Sequence, residues 1–511
     1  MANSNPLRDG SSKRRAPEPC TIVVLGATGD LTGRKLIPAL YNLSRNGQMP
    51  SRFAIVGFAR REKADGEFRD DLYTALAEHS RAKPASRQEA DDFLNNVYYQ
   101  SGQLDSADDF GKLRERLEAL EKEYNLPGNR LFYFAIAPEF FEPVTDAMAA
   151  SKLARPAVPE KTWTRVVVEK PFGTDLDSAR ALNRKISAVL DEKQVYRIDH
   201  YLGKETVQNI LAFRFANSIF EPLWSSRYID HVQITMGEEV GMPGRRGQYF
   251  DTAGILRDVV QNHVLQLMCL TAMEPPASLD ADALRDEKTR VLRAIETMTV
   301  EEVRDNVVRG QYGAGSLRGK EALAYREENL IPKDSVTDTY VALRLQVRNW
   351  RWAGVPFLLR SGKRLPKRAT EIAVIFKRPP HEIYPNSEAR RANILALRIQ
   401  PDEGISMSFA AKQPGLNTTL QPVQMDFRYG SSFGSQSPEA YERLLLDCIL
   451  GDGSLFTRAD EVEEAWRICT AIQKGWDALP RPDFPNYDAG SWGPKEADRL
   501  MEGLAAGWRL L

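Results

Sequence analysis

Between Cys20 and His200 two hydrophobic patterns alternate along the chain. Short runs that are almost wholly apolar, "TIVVLG", "FAIVGFA", "VYYQSG", "RLFYFAIA", "TRVVVEK" and "QVYRID", predict strands. Their lack of polar alternation predicts burial on both faces of a parallel sheet. The stretches between them repeat with a helical period. In "SADDFGKLRERLEALEKEY", Ser106 stands where an N-cap belongs, and Phe110, Leu113, Leu117 and Leu120 share one face. Alternating strand and helix with short connections predicts a doubly wound α/β domain.

Beyond residue 215 the pattern changes. "DHVQITMGEE" leads into one long helical pattern, "TAGILRDVVQNHVLQLMCLTAM". Strand-like runs then follow one another: "TYVALRLQV", "VPFLLRSG", "TEIAVIFK", "ILALRIQP", "ISMSFAA" and "VQMDFRY". Strands in succession predict a mainly antiparallel sheet in a larger α+β domain. Two helical patterns, "EAYERLLLDCILGD" and "ADEVEEAWRICTAIQKGW", are expected to complete it. The expected organisation is a disordered tail at 1–19, a Rossmann-like dinucleotide-binding domain at 20–200, and an α+β substrate-binding and oligomerisation domain at 201–511.

Composition narrows the class. The chain has 511 residues, 42% hydrophobic and 27% charged, as expected of a soluble globular protein of two domains. A formal net charge of −1 gives no global field for nucleic acid or membranes. No apolar run approaches the roughly 20 residues that span a bilayer. The start, "MANSNPLRDGSSKRRAPEPC", has basic clusters but no apolar core of a secretory signal. The four cysteines, Cys20, Cys269, Cys448 and Cys469, lack CxxC spacing. Neither disulfides nor a metal site is expected, and a cytoplasmic location fits.

The first strand ends in a glycine turn, "LGATGDLTG". Gly26 permits a tight turn off the strand, and Gly29 lets backbone approach a pyrophosphate. Thr28, Asp30 and Leu31 then lead into a helix whose free N–H groups face that anion. The spacing G-x-x-G-x-x-x-G is neither the usual dinucleotide fingerprint nor a Walker motif. The second strand ends in Arg60 and Arg61, where an NAD site would place an acid against the ribose. Arginine there suits a 2′-phosphate, so NADP is expected, with NAD the weaker alternative.

Of five histidines, His79 and His381 read as surface residues and His231 as a strand residue, packed or exposed, without a chemical role. His263 follows Leu256, Val259 and Val260 at helical spacing and so faces apolar neighbours. In "RIDHYLGKE", Asp199 and His200 at a strand end should point to opposite sides. Asp199 is expected to orient His263, while His200, Tyr201 and Lys204 would hold an anion at the start of the next helix.

The blocks "GATGDLTGRKLIPALYNL", "EKPFG", "RIDHYLGKETVQN" and "GILRDVVQNH", in this order, closely resemble the glucose-6-phosphate dehydrogenase family. The resemblance continues through "LLRSGKRLPKR" and "RADEVEEAW". It implies oxidation of glucose 6-phosphate at C1 with hydride transfer to NADP. The broad sheet of the second domain points to self-association, as a homodimer or homotetramer. The resemblance implies His263 as general base and Asp199 as its partner. His200, Tyr201 and Lys204 would hold the phosphate, with Lys35, Lys170, Glu238, Asp258, Lys363 and Arg368 as further substrate contacts. Gln103, Leu104 and Lys170 would join the cofactor site, and Lys170–Pro171 is a candidate cis peptide. The loop "EEVGMPGRRGQYFD" departs from the family pattern by one extra residue, and Pro243 and Arg246 are unusual there. Two other readings remain at this point. A sugar dehydrogenase of the glucose–fructose oxidoreductase type would not need the phosphate cluster, and a non-catalytic NADP sensor would not need a base.

Overall fold

The structure is a computed structural model that describes residues 16–154, 162–244, 246–381, 383–384, 392–416, 418–433 and 438–511. The chain forms two compact units. The first comprises 1–172, 180–203 and 438–459. Six parallel strands build its sheet: β1 (Cys20–Leu25), β2 (Phe53–Ala59), β3 (Val97–Ser101), β4 (Arg130–Phe134), β5 (Thr164–Val168) and β6 (Val195–Ile198). Every residue of β1, β2 and β4 is buried, the consequence of helices on both faces. The order β6-β5-β4-β1-β2-β3 reverses direction between β4 and β1. That reversal opens a crevice at the carboxyl ends of these two strands, where open α/β sheets bind ligands.

Helix Ala107–Glu123 forms as its pattern dictates: Ser106 Oγ accepts the Asp109 N–H at 3.2 Å, and Phe110, Leu113, Leu117 and Leu120 are buried. One element departs from expectation. "EAYERLLLDCILGD" forms helix Ala440–Leu450, which belongs to the first unit and not the second. Leu444, Leu445, Leu446, Cys448 and Ile449 join the first core, and Phe456–Thr457 pairs antiparallel with β6. The chain thus returns to a sheet it left more than two hundred residues earlier, a pairing that local periodicity does not encode. Helix Ala459–Ala478, from residue 460 onward, lies in the second unit. Residues 1–15 of the expected tail lie outside the described residues. The segment 16–19 is tied down: Glu18 accepts Trp163 Nε1–H at 3.1 Å, and the Pro19 carbonyl accepts from Asn129 at 3.1 Å.

The second unit comprises 173–179, 204–437 and 460–511. Its eight-stranded sheet runs, from one edge, Leu420–Arg428, Gly404–Lys412, Ile394–Gln400, Ala369–Phe376, Ile229–Gly237, Pro356–Gly362, Tyr340–Gln346 and Val307–Gly310. All neighbours are antiparallel except Ile229–Gly237 with Pro356–Gly362. The long helix read from "TAGILRDVVQNHVLQLMCLTAM" is three pieces. Helix Arg246–Ile255 breaks at Gly254 (φ 67°, ψ 170°), Leu256–Val264 is π-helical, and Leu265–Ala272 returns to α-helix. Among the described residues no helix is long and apolar enough to cross a membrane.

Candidate active site

In the first unit the glycine turn lies where the sheet order reverses. Gly26 has φ 83°, and its N–H and that of Ala27 bond the Phe58 carbonyl at 2.8 and 3.2 Å, linking the turn to the end of β2. A Cβ on Gly26 would sit 2.2 Å from the Ala135 carbonyl oxygen, so no other residue fits between β1 and β4. Thr28, Gly29 and Asp30 remain exposed and Leu31 half-buried beside this cradle, open to a ligand. The helix beyond opens with a π-helical turn, Thr32–Leu36. Arg60 and Arg61 are exposed just past β2, as a phosphate contact requires. The Gln103 N–H is fixed by Asp109 Oδ2 at 3.0 Å, and Leu104 is buried beside it. The residues fit a dinucleotide: a narrow backbone cradle at one strand end and free guanidinium-bearing residues at the next.

The same unit holds Lys170, Asp199, His200 and Tyr201. The Lys170–Pro171 bond is cis. Strand β6 ends at Ile198, so Asp199 and His200 occupy a turn and not the strand itself. Asp199 is 2% exposed, and its Oδ1 accepts the Tyr201 N–H at 2.9 Å, which fixes the turn. The His200 ring is stacked with Tyr441 (centroids 6.5 Å apart, planes 8° apart). The Tyr441 hydroxyl donates to Glu169 Oε1 at 3.1 Å, and Tyr133 donates to the same oxygen at 2.5 Å. Burial pushes the Glu169 carboxyl up in pKa, opposed by those two hydroxyls and Lys170. Glu169 and Tyr441 are functional candidates that sequence reasoning missed. Glu169 stands inside the quoted "EKPFG", but the tyrosines that hold it come from distant strands and helices. Lys35 is paired with Glu439 at 2.9 Å, so its ammonium is already partnered.

The second unit holds Lys204, Glu238, Asp258, His263, Lys363 and Arg368. Lys204 is the N-cap residue of helix Glu205–Phe215, and its Nζ donates to Gln400 Oε1 at 2.7 Å. Asp258 and His263, 5% and 3% exposed, are five residues apart on the π-helix. A π-helix bonds i to i+5, so that spacing brings the carboxylate and imidazole onto one face. On an α-helix the same two residues would diverge. Lys363, 0% exposed, donates to Glu238 Oε1 at 2.5 Å and lies 3.8 Å from Asp258 Oδ2. Burial pushes the Lys363 ammonium down in pKa, and the two carboxylates hold it up. Arg246, singled out as unusual in sequence, reaches Glu238 at 3.7 Å and Asp258 at 3.9 Å. Arg368 is different: its side chain is exposed, and its N–H donates to Glu239 Oε1 at 3.1 Å. His231 is a packed residue, its Nδ1 2.6 Å from Asp230 and its pKa pushed down by burial.

A glycine-turn crevice in a doubly wound sheet, together with a buried imidazole and carboxylate sharing a helix face, is the equipment of a nicotinamide-dependent dehydrogenase. Comparison with known proteins makes the assignment specific. Residues 23–209 match the family model described as the glucose-6-phosphate dehydrogenase NAD binding domain, and 211–509 match that of the C-terminal domain. Glucose-6-phosphate 1-dehydrogenase of Chlamydia pneumoniae is 48% identical over 507 residues, covering 98% of each chain. That of Bacillus subtilis is 43% identical, covering 94% of this chain and 96% of its own. A solved glucose-6-phosphate dehydrogenase in complex with its substrate glucose 6-phosphate superposes with a TM-score of 0.87 at 34% identity, covering 97% of this chain and 99% of that one. The chain belongs to the glucose-6-phosphate dehydrogenase family, and its cofactor is a nicotinamide dinucleotide.

Proposed function

We propose that the chain oxidises D-glucose 6-phosphate at C1 to 6-phospho-D-glucono-1,5-lactone with NADP as acceptor, the first step of the oxidative pentose phosphate pathway. The observation that carries this reading is His263, a buried imidazole sharing a π-helical face with Asp258. As general base it takes the proton of the C1 hydroxyl as the C1–O bond becomes a carbonyl, and Asp199 balances the imidazolium that results. A nicotinamide dinucleotide held at the Gly26–Leu31 turn would supply the acceptor for the C1 hydride.

His200, Tyr201 and Lys204 hold the phosphate, with Gln400 fixing the Lys204 ammonium. Asp258 and Glu238 accept from sugar hydroxyls, and Lys363, bonded to Glu238 and 3.8 Å from Asp258, holds the two carboxylates in place. Lys35, Lys170 and Arg368 complete the cationic lining. Gly26, Thr28, Gly29, Asp30, Leu31, Gln103 and Leu104 cradle the dinucleotide, with Lys170 beside it. Arg60 favours the 2′-phosphate of NADP over the free ribose of NAD.

The enzyme works in the cytoplasm, a reading supported by four free and buried thiols. It works as a homodimer or homotetramer. The support is the edge strand Leu420–Arg428, whose residues are mostly exposed, Met425 by 63%.

The test is reduced-nicotinamide absorbance with purified protein. Turnover with glucose 6-phosphate and NADP, much weaker with NAD or with unphosphorylated glucose, is the expected result. His263→Asn should bind substrate and lose most turnover. Near-native turnover by that variant would overturn the base assignment.

A further inference from the structure

The second unit contains a cavity of about 360 Å³ that uses none of the residues assigned above. Its walls include Asp175, Arg257, Arg309, Asp338, Trp476 and Asp477. Two of its arginines lack the ion pair that most half-buried guanidinium groups have. Arg257 and Arg309 form no side-chain hydrogen bond or salt bridge among the described residues. Arg309 instead lies over the rings of Trp476 and Phe484, at 5.0 and 5.9 Å. Across the space stands Asp338, its Oδ2 accepting the Leu256 N–H at 3.4 Å and its carbonyl bonded by the Ile255 N–H at 3.0 Å.

A wall that alternates guanidinium and carboxylate across a gap suits neither a simple anion nor a simple cation. An anion meets Asp175, Asp338 and Asp477, while a cation meets the two arginines. A run of adjacent hydroxyls suits it, because each hydroxyl donates to a carboxylate and accepts from a guanidinium at once. The indole of Trp476 adds an apolar wall, and the volume is within the usual range for small-molecule sites. We propose that this cavity is a second binding site, taking a neutral sugar or polyol. It adjoins Gly254, Leu256 and Arg257, the break and first turn of the π-helix that carries Asp258 and His263. An occupant therefore braces that helix.

The test uses the full chain with sucrose and myo-inositol, which have no anomeric hydroxyl to oxidise, and reads binding by saturation-transfer NMR. Saturable binding of one or both is expected, undisturbed by saturating glucose 6-phosphate. It should weaken about tenfold or more in Arg309→Gln, the size of one lost charge-assisted hydrogen bond. Asp477→Asn, a change at an exposed side chain that leaves the fold intact, should weaken it as well. The proposal is overturned by absence of saturable binding, by displacement with glucose 6-phosphate, or by unchanged affinity in Asp477→Asn.

Discussion

Lys363 is a fully enclosed ammonium, and its surroundings decide what its removal does. It lies 5.1 Å from the Phe250 ring centroid and bonds Glu238, while itself 0% exposed. Lys363→Met keeps the volume and deletes the charge, leaving Glu238 and Asp258 facing each other. The expected loss is about 3 kcal/mol, the low end for breaking a buried pair, because the half-buried Glu238 can be rehydrated. Urea unfolding measures that loss, and a raised KM for glucose 6-phosphate should accompany it. Glu169 gives a prediction in pH. Its folded-state pKa is raised above its ordinary 4.5, so the folded chain keeps this proton to higher pH than the unfolded one. Its contribution to stability is therefore full below 4.5 and is lost as pH rises through the folded value. Glu169→Gln should remove that decline. Comparing urea midpoints at about pH 5 and pH 8, where a carboxyl of raised pKa titrates, tests it. A wild-type and variant difference that does not change with pH would refute the assignment.

At the scale of elements, the turn at Gly254 sets where the π-helix begins. Its positive φ already disfavours a side chain, and an added Cβ would lie 3.1 Å from Asp338 Oδ1. Gly254→Ala should cost about 1–3 kcal/mol from the backbone alone, because φ 67° with ψ 170° is a conformation essentially only glycine adopts. By shifting the register of Asp258 and His263 it should also lower kcat several-fold. Gly111, inside helix Ala107–Glu123, is the control: a Cβ there meets nothing, and Gly111→Ala should stabilise by up to about 1 kcal/mol. If both alanines behave alike, the break does not set the register. The same helix shows where sequence reasoning stops. Strands β1 to β6 and the face of Ala107–Glu123 were legible because burial on both sides, or on one stripe, leaves a period in the residues. A π-helix leaves no such signature: "GILRDVVQNH" places His263 after Leu256, Val259 and Val260 at ordinary helical spacing, and nothing in it marks the i to i+5 bonding that puts Asp258 and His263 on one face. The Glu169–Tyr133–Tyr441 cluster was equally invisible, since its three members are assembled from separated stretches of chain and share no spacing. Arg246 did stand out by residue type, but only the coordinates show the two carboxylates it approaches.

For the whole molecule, the decisive feature is that the first unit is not contiguous. A boundary drawn near residue 200 follows the change in pattern, but it separates the Rossmann sheet from 438–459, which complete it. Leu444, Leu445, Cys448, Ile449 and Phe456 are each at most 1% exposed in that core. Burying five such side chains contributes on the order of 10 kcal/mol as an upper bound. That is comparable with the entire stability of an ordinary domain. Asn42 and Arg81 add polar ties, each bonded to Glu442, at 3.0 and 2.9 Å. A fragment ending at residue 203 would lose all of this and expose the helix Ile37–Arg45 that Ala440–Leu450 covers. It should therefore bind a hydrophobic dye, unfold without a cooperative transition and fail to bind NADP. Joining residues 438–459 to it through a flexible linker should restore cooperative unfolding and dinucleotide binding. If the short fragment already unfolds cooperatively and binds NADP, the late segment is only an embellishment of a domain that ends where the sequence pattern changes. If only the joined form does so, the dinucleotide site depends on residues that the chain supplies after the second sheet has been made, and neither unit reaches its native core before synthesis passes residue 459.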